Sequence, residues 1–104
     1  MMTTNIEKKE KSTNIKKRVT EFEYFVTVDN QVYKFVQLKG TCLFKFDGEI
    51  NSLKQIAAAM KMLYCRFDAR YFCFQGKIPT IVKVPNNGSE IGIYRDLILK
   101  LKKQ

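Results

Sequence analysis

The stretch Phe44–Leu63, which reads "FKFDGEINSLKQIAAAMKML", decides the fold because a short alternating run passes directly into a helical pattern. Asp47 separates the two and predicts the N-cap of the helix, since a carboxylate accepts hydrogen bonds from the free amides of the first turn. Glu49 then falls in that first turn, where the helix dipole favours a negative charge. The stretch predicts one strand joined almost directly to one amphipathic helix. The helical stripe comprises Ile50, Leu53, Ile56, Ala57, Met60, Leu63 and Tyr64.

Strand patterns lie on both sides of this joint. Upstream, two runs of β-branched and aromatic residues flank Asp29-Asn30, which predicts a hairpin because Asn tolerates the left-handed backbone of a tight turn. Thr41–Phe46 gives the third strand, with Cys42, Phe44 and Phe46 on one face. Downstream, Tyr71–Gln75 and Ile78–Val84 predict two further strands around a Gly76-Lys77 turn.

The last segment, residues 89–103, has two interpretations. Leu97, Leu99 and Leu101 alternate as in a strand, whereas a Ser89 cap and a lysine-rich end are typical of a helix. We favour the helix, with a stripe of Ile91, Tyr94, Leu97, Ile98 and Leu101. The fold class is then α+β, with an antiparallel or mixed sheet of about five strands and two helices packed on one face.

The domain organisation follows from a change in composition near residue 20. Residues 1–20 are predicted to be a basic flexible arm, because Met1–Arg18 contains almost no large apolar residue. Residues 21–104 are predicted to form a single α+β domain. No apolar run approaches the roughly 20 residues that a membrane-spanning helix requires.

The sequence gives no sign of catalytic chemistry. The chain contains no histidine, and its acidic residues form no obvious pair, so we predict a protein that is not an enzyme and binds no small-molecule substrate. Cys42, Cys65 and Cys73 form no C-x-x-C motif and have apolar neighbours, which predicts buried free thiols in a reducing compartment. We therefore expect neither a metal nor a cofactor.

The charge of the chain points to a polyanionic partner. Nineteen Lys and Arg against ten Asp and Glu give a formal net charge of +9, an excess that is typical of nucleic-acid-binding domains of this size. Each phosphate that a basic residue neutralises releases counterions and so favours binding. The predicted nucleic-acid-binding residues are Lys8, Lys9, Lys11, Lys16, Lys17 and Arg18 in the arm, together with Arg66, Arg70 and Lys77.

Several short motifs follow one another along the chain: Tyr24-Phe25-Val26, Val32-Tyr33, "KFDGEI" at Lys45–Ile50 with Leu53, and the final "GSEIGIYRDLILKLKK". Over about Glu23 to Lys103 they resemble the mitochondrial large-subunit ribosomal protein L-forty-nine family, also called the Img-two type. The resemblance implies a fold similar to that of the Sui-one type initiation factor. It also implies a structural role in the mitochondrial matrix, with ribosomal RNA and other ribosomal proteins as partners.

Two alternatives stay open at this point. One is a translation initiation factor of the Sui-one type that binds the small ribosomal subunit, echoed by Val36-Gln37 and compatible with a cytoplasmic location. The other is a ubiquitin-like interaction module, because two strands, a helix and "FCFQGKIP" follow the β-grasp order. That second alternative requires the final "DLILKLK" to be a strand paired with the first one.

Overall fold

A computed structural model describes residues 4–12 and 19–102 of the chain. These residues form a six-stranded mixed sheet and two α-helices, which confirms the predicted α+β class and adds one strand to the five expected. In chain order the elements are β1 (Thr4–Ser12), β2 (Val19–Val28), β3 (Gln31–Leu38), β4 (Leu43–Asp47), α1 (Leu53–Phe67), β5 (Tyr71–Phe74), β6 (Thr80–Lys83) and α2 (Glu90–Lys102).

The strands lie in the sheet in the order in which they follow along the chain, from β1 at one edge to β6 at the other. Neighbouring strands are antiparallel except β4 and β5, which are parallel and are connected through α1. A parallel pair needs such a crossover because a tight turn cannot return the chain to the same end of the sheet. The hairpin between β2 and β3 turns at Asp29 and Asn30, whose positive φ angles of 51° and 67° match the predicted left-handed turn.

The core lies between one face of the sheet and the two helices. Alternate strand residues point to this face, so the aromatic side chains of neighbouring strands meet there in one cluster. Helix α1 covers the cluster with the buried run Ala57–Ala59, whose small side chains allow close approach to the sheet. We call the opposite side of the sheet the open face. The large buried aromatic residues are Tyr24, Tyr33, Phe35, Phe44, Phe46, Phe72 and Phe74.

Helix α1 begins later than the sequence indicated. Its N-cap is Ser52, whose hydroxyl accepts a hydrogen bond from the backbone N–H of Gln55 at 3.4 Å. The prediction that Asp47 is the N-cap was therefore wrong. Asp47 instead ends β4, and its carboxylate lies 3.2 Å from the Lys34 ammonium on the neighbouring strand. Ile50 precedes the helix and is exposed, not part of the buried stripe.

The ambiguous C-terminal segment forms helix α2, as favoured from the sequence. Ile93 and Leu97 are its buried residues, whereas Ile91, which the predicted stripe included, is 71% exposed. Because the final segment is a helix, it does not supply the strand that the ubiquitin-like alternative requires.

The first strand was not predicted. Residues 1–20 were expected to be a flexible arm, but Thr4–Ser12 form β1, which pairs with β2 from Thr4 opposite Val28 to Ser12 opposite Val19. The order of this polar segment comes from backbone hydrogen bonds to β2 and from Ile6, which packs against the core. Lys16, Lys17 and Arg18 lie outside the described residues.

The three cysteines are free but not buried, contrary to the prediction. Cys42 precedes β4 in a loop and is exposed, and Cys65 lies on the solvent side of α1. Cys73 is half-buried on the open face, because its neighbours Phe72 and Phe74 occupy the core side of β5. Apolar neighbours in sequence therefore did not indicate burial, since adjacent strand residues point to opposite faces.

The loop between β6 and α2 depends on a glycine. Gly88 has a positive φ of 61°, and a Cβ at this position would lie 2.7 Å from Cδ1 of Tyr64. The Tyr64 hydroxyl donates a hydrogen bond to the carbonyl of Asn86, so the ring cannot easily move away. The loop is thereby held against α1.

We predict that Gly88→Ala lowers the free energy of unfolding by about 2 kcal/mol, from the left-handed backbone and the steric contact together. Gly40→Ala is the matched control, because Gly40 also has a positive φ, of 87°, but a Cβ there would meet no atom within 4 Å. Urea denaturation of both variants measures the difference. Equal losses of stability would contradict the proposed contact between residue 88 and Tyr64.

Candidate nucleic-acid interface

The predicted basic residues do not all converge on one place, but Lys8 and Arg66 meet at the ring of Phe67, whose centroid lies 5.9 Å from Nζ of Lys8 and 5.7 Å from Cζ of Arg66. Lys8, Lys9 and Lys11 belong to β1 at the edge of the sheet. Arg70 immediately precedes β5, whereas Lys77 follows it, and a four-residue strand separates its ends by about 13 Å. Arg66 lies in the last turn of α1, on the same end of the sheet as Arg70. The structure therefore places Lys77 apart from the other residues of the predicted set.

Lys8 points to the core side of the sheet, toward aromatic rings. Its Nζ lies 4.3 Å from the ring centroid of Phe22, 5.6 Å from that of Tyr24 and 5.9 Å from that of Phe67. An ammonium within about 6 Å of a ring centroid is attracted by the negative face of the ring. This arrangement attaches β1 to the domain through a side-chain contact, in addition to the backbone ladder.

We predict that Lys8→Gln weakens the attachment of β1 by about 0.5–1 kcal/mol, which corresponds to a roughly two- to fivefold faster hydrogen exchange of the β1 amides. Lys8→Arg should retain the protection, because a guanidinium also interacts with ring faces. Exchange measured by NMR on the full chain tests both variants. Unchanged protection in Lys8→Gln would show that the backbone ladder alone orders the strand.

Two other predicted residues have acidic partners. The Lys9 ammonium lies 3.5 Å from the Glu7 carboxylate, and Nε of Arg70 donates to Oδ1 of Asp68 at 2.9 Å. This hydrogen bond to Asp68 raises the pKa of Arg70 above its ordinary value. Both pairs are well exposed, so they are weak and do not prevent contact with a phosphate. Their positive charge is nevertheless partly compensated.

The helices carry further basic residues, and these have no such compensation. Helix α1 contains no acidic residue, and Lys54 and Lys61 lie seven residues apart on one exposed line, about 10.5 Å apart along the axis. Lys54 reaches α2, where its Nζ is 5.9 Å from the ring centroid of Tyr94. We call the exposed basic residues of the two helices the basic helical layer. It comprises Lys54, Lys61 and Arg66 of α1 with Arg95, Lys100 and Lys102 of α2.

No member of the basic helical layer has a carboxylate within 4 Å among the side chains that the structure describes; the ion pairs found there involve Lys9, Lys34 and Arg70. The acidic residues of the two helices are Glu90 and Asp96, both in α2. The layer therefore presents an excess of positive charge on rigid elements, on the side of the molecule away from the open face. Such a surface can neutralise phosphates without breaking internal ion pairs.

Sequence reasoning identified one residue of this layer, Arg66, and missed the others. Lys54 and Lys61 lie off the apolar stripe that the sequence predicts for α1, and the lysine-rich C-terminal end indicated only a helix. A usable signal was present in α1, because a fifteen-residue helix without an acidic residue has no internal partner for its lysines. What the sequence did not show was that α1 and α2 lie side by side.

The open face differs in its charge distribution. Lys34 lies in its centre, with its Nζ 2.9 Å from Glu23 and 3.2 Å from Asp47. The hydrogen bond to Glu23 is the largest cause that raises the pKa of Lys34 above its ordinary value, and the hydrogen bond to Asp47 is the next. The ammonium therefore stays charged and satisfies both carboxylates. This part of the open face carries two carboxylates against one ammonium and is therefore less suited to a polyanion than the helical side.

The described residues offer no grouping for metal binding. Within residues 4–12 and 19–102, no three His, Cys, Asp or Glu side chains lie close enough together to hold a metal ion. Neither helix of the described chain is long and apolar enough to cross a membrane.

Comparison of the chain with protein-family models, with curated proteins and with solved structures finds no match. The resemblance to the L-forty-nine family therefore depends on the motifs in the sequence, such as Tyr24-Phe25-Val26 and the Lys45–Ile50 segment. The charge and shape of the surfaces described above are the structural basis for assigning a function.

Proposed function

We propose that this protein is a non-catalytic, RNA-binding constituent of the mitochondrial large ribosomal subunit, where it contacts ribosomal RNA and neighbouring ribosomal proteins. The observation that carries the proposal is the basic helical layer, whose Lys and Arg side chains have no acidic partner among the described residues. The site that binds RNA is this layer, extended by the basic residues of the N-terminal segment.

Both the amount and the position of the positive charge in the basic helical layer favour RNA binding. Like charges held together on two packed helices repel each other, and a polyanion removes that repulsion while releasing its own counterions. Lys54 and Lys61 are fixed along one helix, so they present a rigid row and not a mobile tail. A rigid row favours a structured polyanion such as folded RNA, whose phosphates also have fixed spacing.

The ribosomal assignment depends on the sequence motifs. The segment Lys45–Ile50 and the final "GSEIGIYRDLILKLKK" resemble the L-forty-nine family, and an α+β domain with both helices on one face is what that resemblance implies. The Sui-one type alternative would bring a basic hairpin tip to small-subunit RNA. The tip of the β2–β3 hairpin is Asp29-Asn30, which carries a negative charge, so this alternative is disfavoured.

The first test is RNA binding by the purified full chain across a salt series. We expect the logarithm of the binding constant to fall linearly with the logarithm of salt concentration, with a slope of about −0.7 to −0.9 for each phosphate contacted. A fragment of large-subunit ribosomal RNA and an unrelated structured RNA serve as paired probes. Absence of binding to both RNAs at about 50 mM salt would overturn the RNA-binding proposal.

The second test addresses the ribosome itself. Density-gradient sedimentation of mitochondrial lysate should place the protein with the large subunit, and high salt should release it. Sedimentation with small subunits, followed by loss when the subunits join, would favour the initiation-factor alternative. Recovery at the top of the gradient, or in cytoplasmic ribosomes, would contradict the mitochondrial assignment.

A further inference from the structure

The open face carries an apolar patch that the proposed RNA contact leaves unused. Leu38, Leu43, Tyr71 and Ile81 are 55%, 37%, 40% and 57% exposed, which is high for large apolar side chains on a sheet. Leu43 pairs with Tyr71, and Cys73 pairs with Ile81, so these residues are neighbours on adjacent strands. We call this group, completed by the half-buried Val36 and Cys73, the open-face patch.

Two lysines belong to the same surface. Lys45 lies opposite Val36 on one side and Cys73 on the other, so apolar side chains surround it. Lys83 lies opposite Tyr71, with its Nζ 5.9 Å from the ring centroid. Neither ammonium has a carboxylate within 4 Å among the described side chains, in contrast to Lys34. The patch thus combines apolar area with two uncompensated positive charges.

The surface is also shallowly concave. A depression of about 480 Å³ lies over β3, β4 and β5, and residues of the patch line its floor. One end of the depression is lined by Lys34 and Asp47, which pair with each other, and the other end by Glu21, which lies opposite Leu38. Lys45 is therefore the lining residue to which a ligand's carboxylate would be drawn, and Lys83 on β6 extends the positive charge beyond the rim.

We propose that the open-face patch docks an amphipathic helix of another protein, with aliphatic side chains on Leu38, Leu43 and Ile81 and carboxylates facing Lys45 and Lys83. The occupant is inferred from complementarity of charge and polarity. Burying the apolar groups removes them from water, which favours the complex. Pairing the two lysines with carboxylates avoids leaving their charges uncompensated at the interface. The surface is separate from the basic helical layer, so this inference does not depend on RNA binding.

RNA fits this surface less well than a protein. Leu38, Leu43 and Ile81 are aliphatic, so Tyr71 is the one residue of the patch on whose ring a base could stack. Glu23 and Asp47 lie on the same face and would repel phosphates that approached it. A second copy of the chain also fits less well, because a two-fold contact centred on the patch would bring the Lys45 and Lys83 side chains of the two copies toward each other.

The probe is a synthetic amphipathic peptide with a leucine stripe at helical spacing and glutamates beside it, paired with a peptide in which lysines replace the glutamates. NMR on the labelled full chain follows the methyl signals of Leu38, Leu43 and Ile81. We expect the glutamate peptide to shift these signals and to bind at least about tenfold more tightly than the lysine peptide, because its carboxylates meet Lys45 and Lys83 where the lysine peptide brings like charges together.

Two variants locate the contact. Ile81→Asp should weaken binding of the glutamate peptide about tenfold or more, whereas Ile91→Asp, at an isoleucine 71% exposed on α2, should leave it unchanged. Lys45→Glu should remove most of the preference between the two peptides, because a carboxylate then lies on the same surface as the remaining lysine, Lys83. Both isoleucines are exposed, so neither change should prevent folding, and circular dichroism checks this. RNA affinity should be the same in Ile81→Asp as in the unaltered chain, which separates failure of this inference from failure of RNA binding.

Several results would overturn the inference. These are equal binding of both peptides, equal effects of Ile81→Asp and Ile91→Asp, or shifts at the basic helical layer instead of the patch. Patch signals that move with protein concentration alone would assign the surface to a second copy. Patch signals that move with RNA, or with phosphatidylcholine vesicles containing phosphatidylserine, would assign it to those partners.

Discussion

Phe35→Ala is expected to lower the free energy of unfolding by about 3–5 kcal/mol, a large part of the roughly 5–15 kcal/mol that stabilises a typical domain. Phe35 is fully buried on β3, and its ring centroid lies 5.3 Å from that of Phe46 and 5.6 Å from that of Phe72. Removing the ring leaves a cavity at the centre of the aromatic cluster. The cost is high because the neighbouring rings are fixed by their own strands and cannot close the space.

The control for Phe35→Ala is Phe25→Ala on the adjacent strand. Phe25 points to the open face and is only partly buried, with the Lys9 ammonium 5.2 Å from its ring centroid. We expect its replacement to cost about 1 kcal/mol, because folding removes only part of this ring from water. Since the chain has no tryptophan, urea denaturation is followed by circular dichroism. Similar losses in both variants would contradict the assignment of the core to the helix side of the sheet.

Much of the fold could be predicted because local periodicity and tertiary structure agree. Alternation placed Phe44 and Phe46 on one side of β4, and helical spacing placed Ile56 and Leu63 in the core. The exception is β1, whose sequence "TNIEKKEKS" has almost no apolar content. Its order comes from pairing with β2, and a backbone ladder leaves little trace in the side chains of the strand that joins it.

The error at the start of α1 has a similar cause. Asp47 has the right chemistry for an N-cap, but Lys34, thirteen residues earlier, approaches its carboxylate across the sheet. An i, i+3 pattern cannot reveal a partner contributed by another strand. The same holds for the candidate site, because the spacing of Lys54 and Lys61 shows that they share a line on a helix, not that carboxylates are absent nearby.

The two faces of the domain imply different partners, so substitutions that remove charge from the helical side can be compared with substitutions that remove it elsewhere. The triple change Lys54→Gln, Lys61→Gln and Arg66→Gln removes three positive charges from α1 without touching the core, since all three side chains are exposed. If each residue neutralises one phosphate, the salt dependence of RNA binding should become shallower by about 2–3 in slope. At about 50 mM salt this corresponds to a roughly 10²- to 10³-fold weaker affinity.

The matched control removes the same charge elsewhere. The control variant combines Lys39→Gln, Lys45→Gln and Lys83→Gln. Lys39 lies in the loop after β3, and Lys45 and Lys83 lie on the open face. None of these lysines has a carboxylate within 4 Å among the described residues. We expect less than about a tenfold loss of RNA affinity, because distant charges act through a screened field. Equal losses in both triple variants would mean that net charge alone attracts RNA. Since the two variants carry the same net charge, a difference between them can only come from where the phosphates are held.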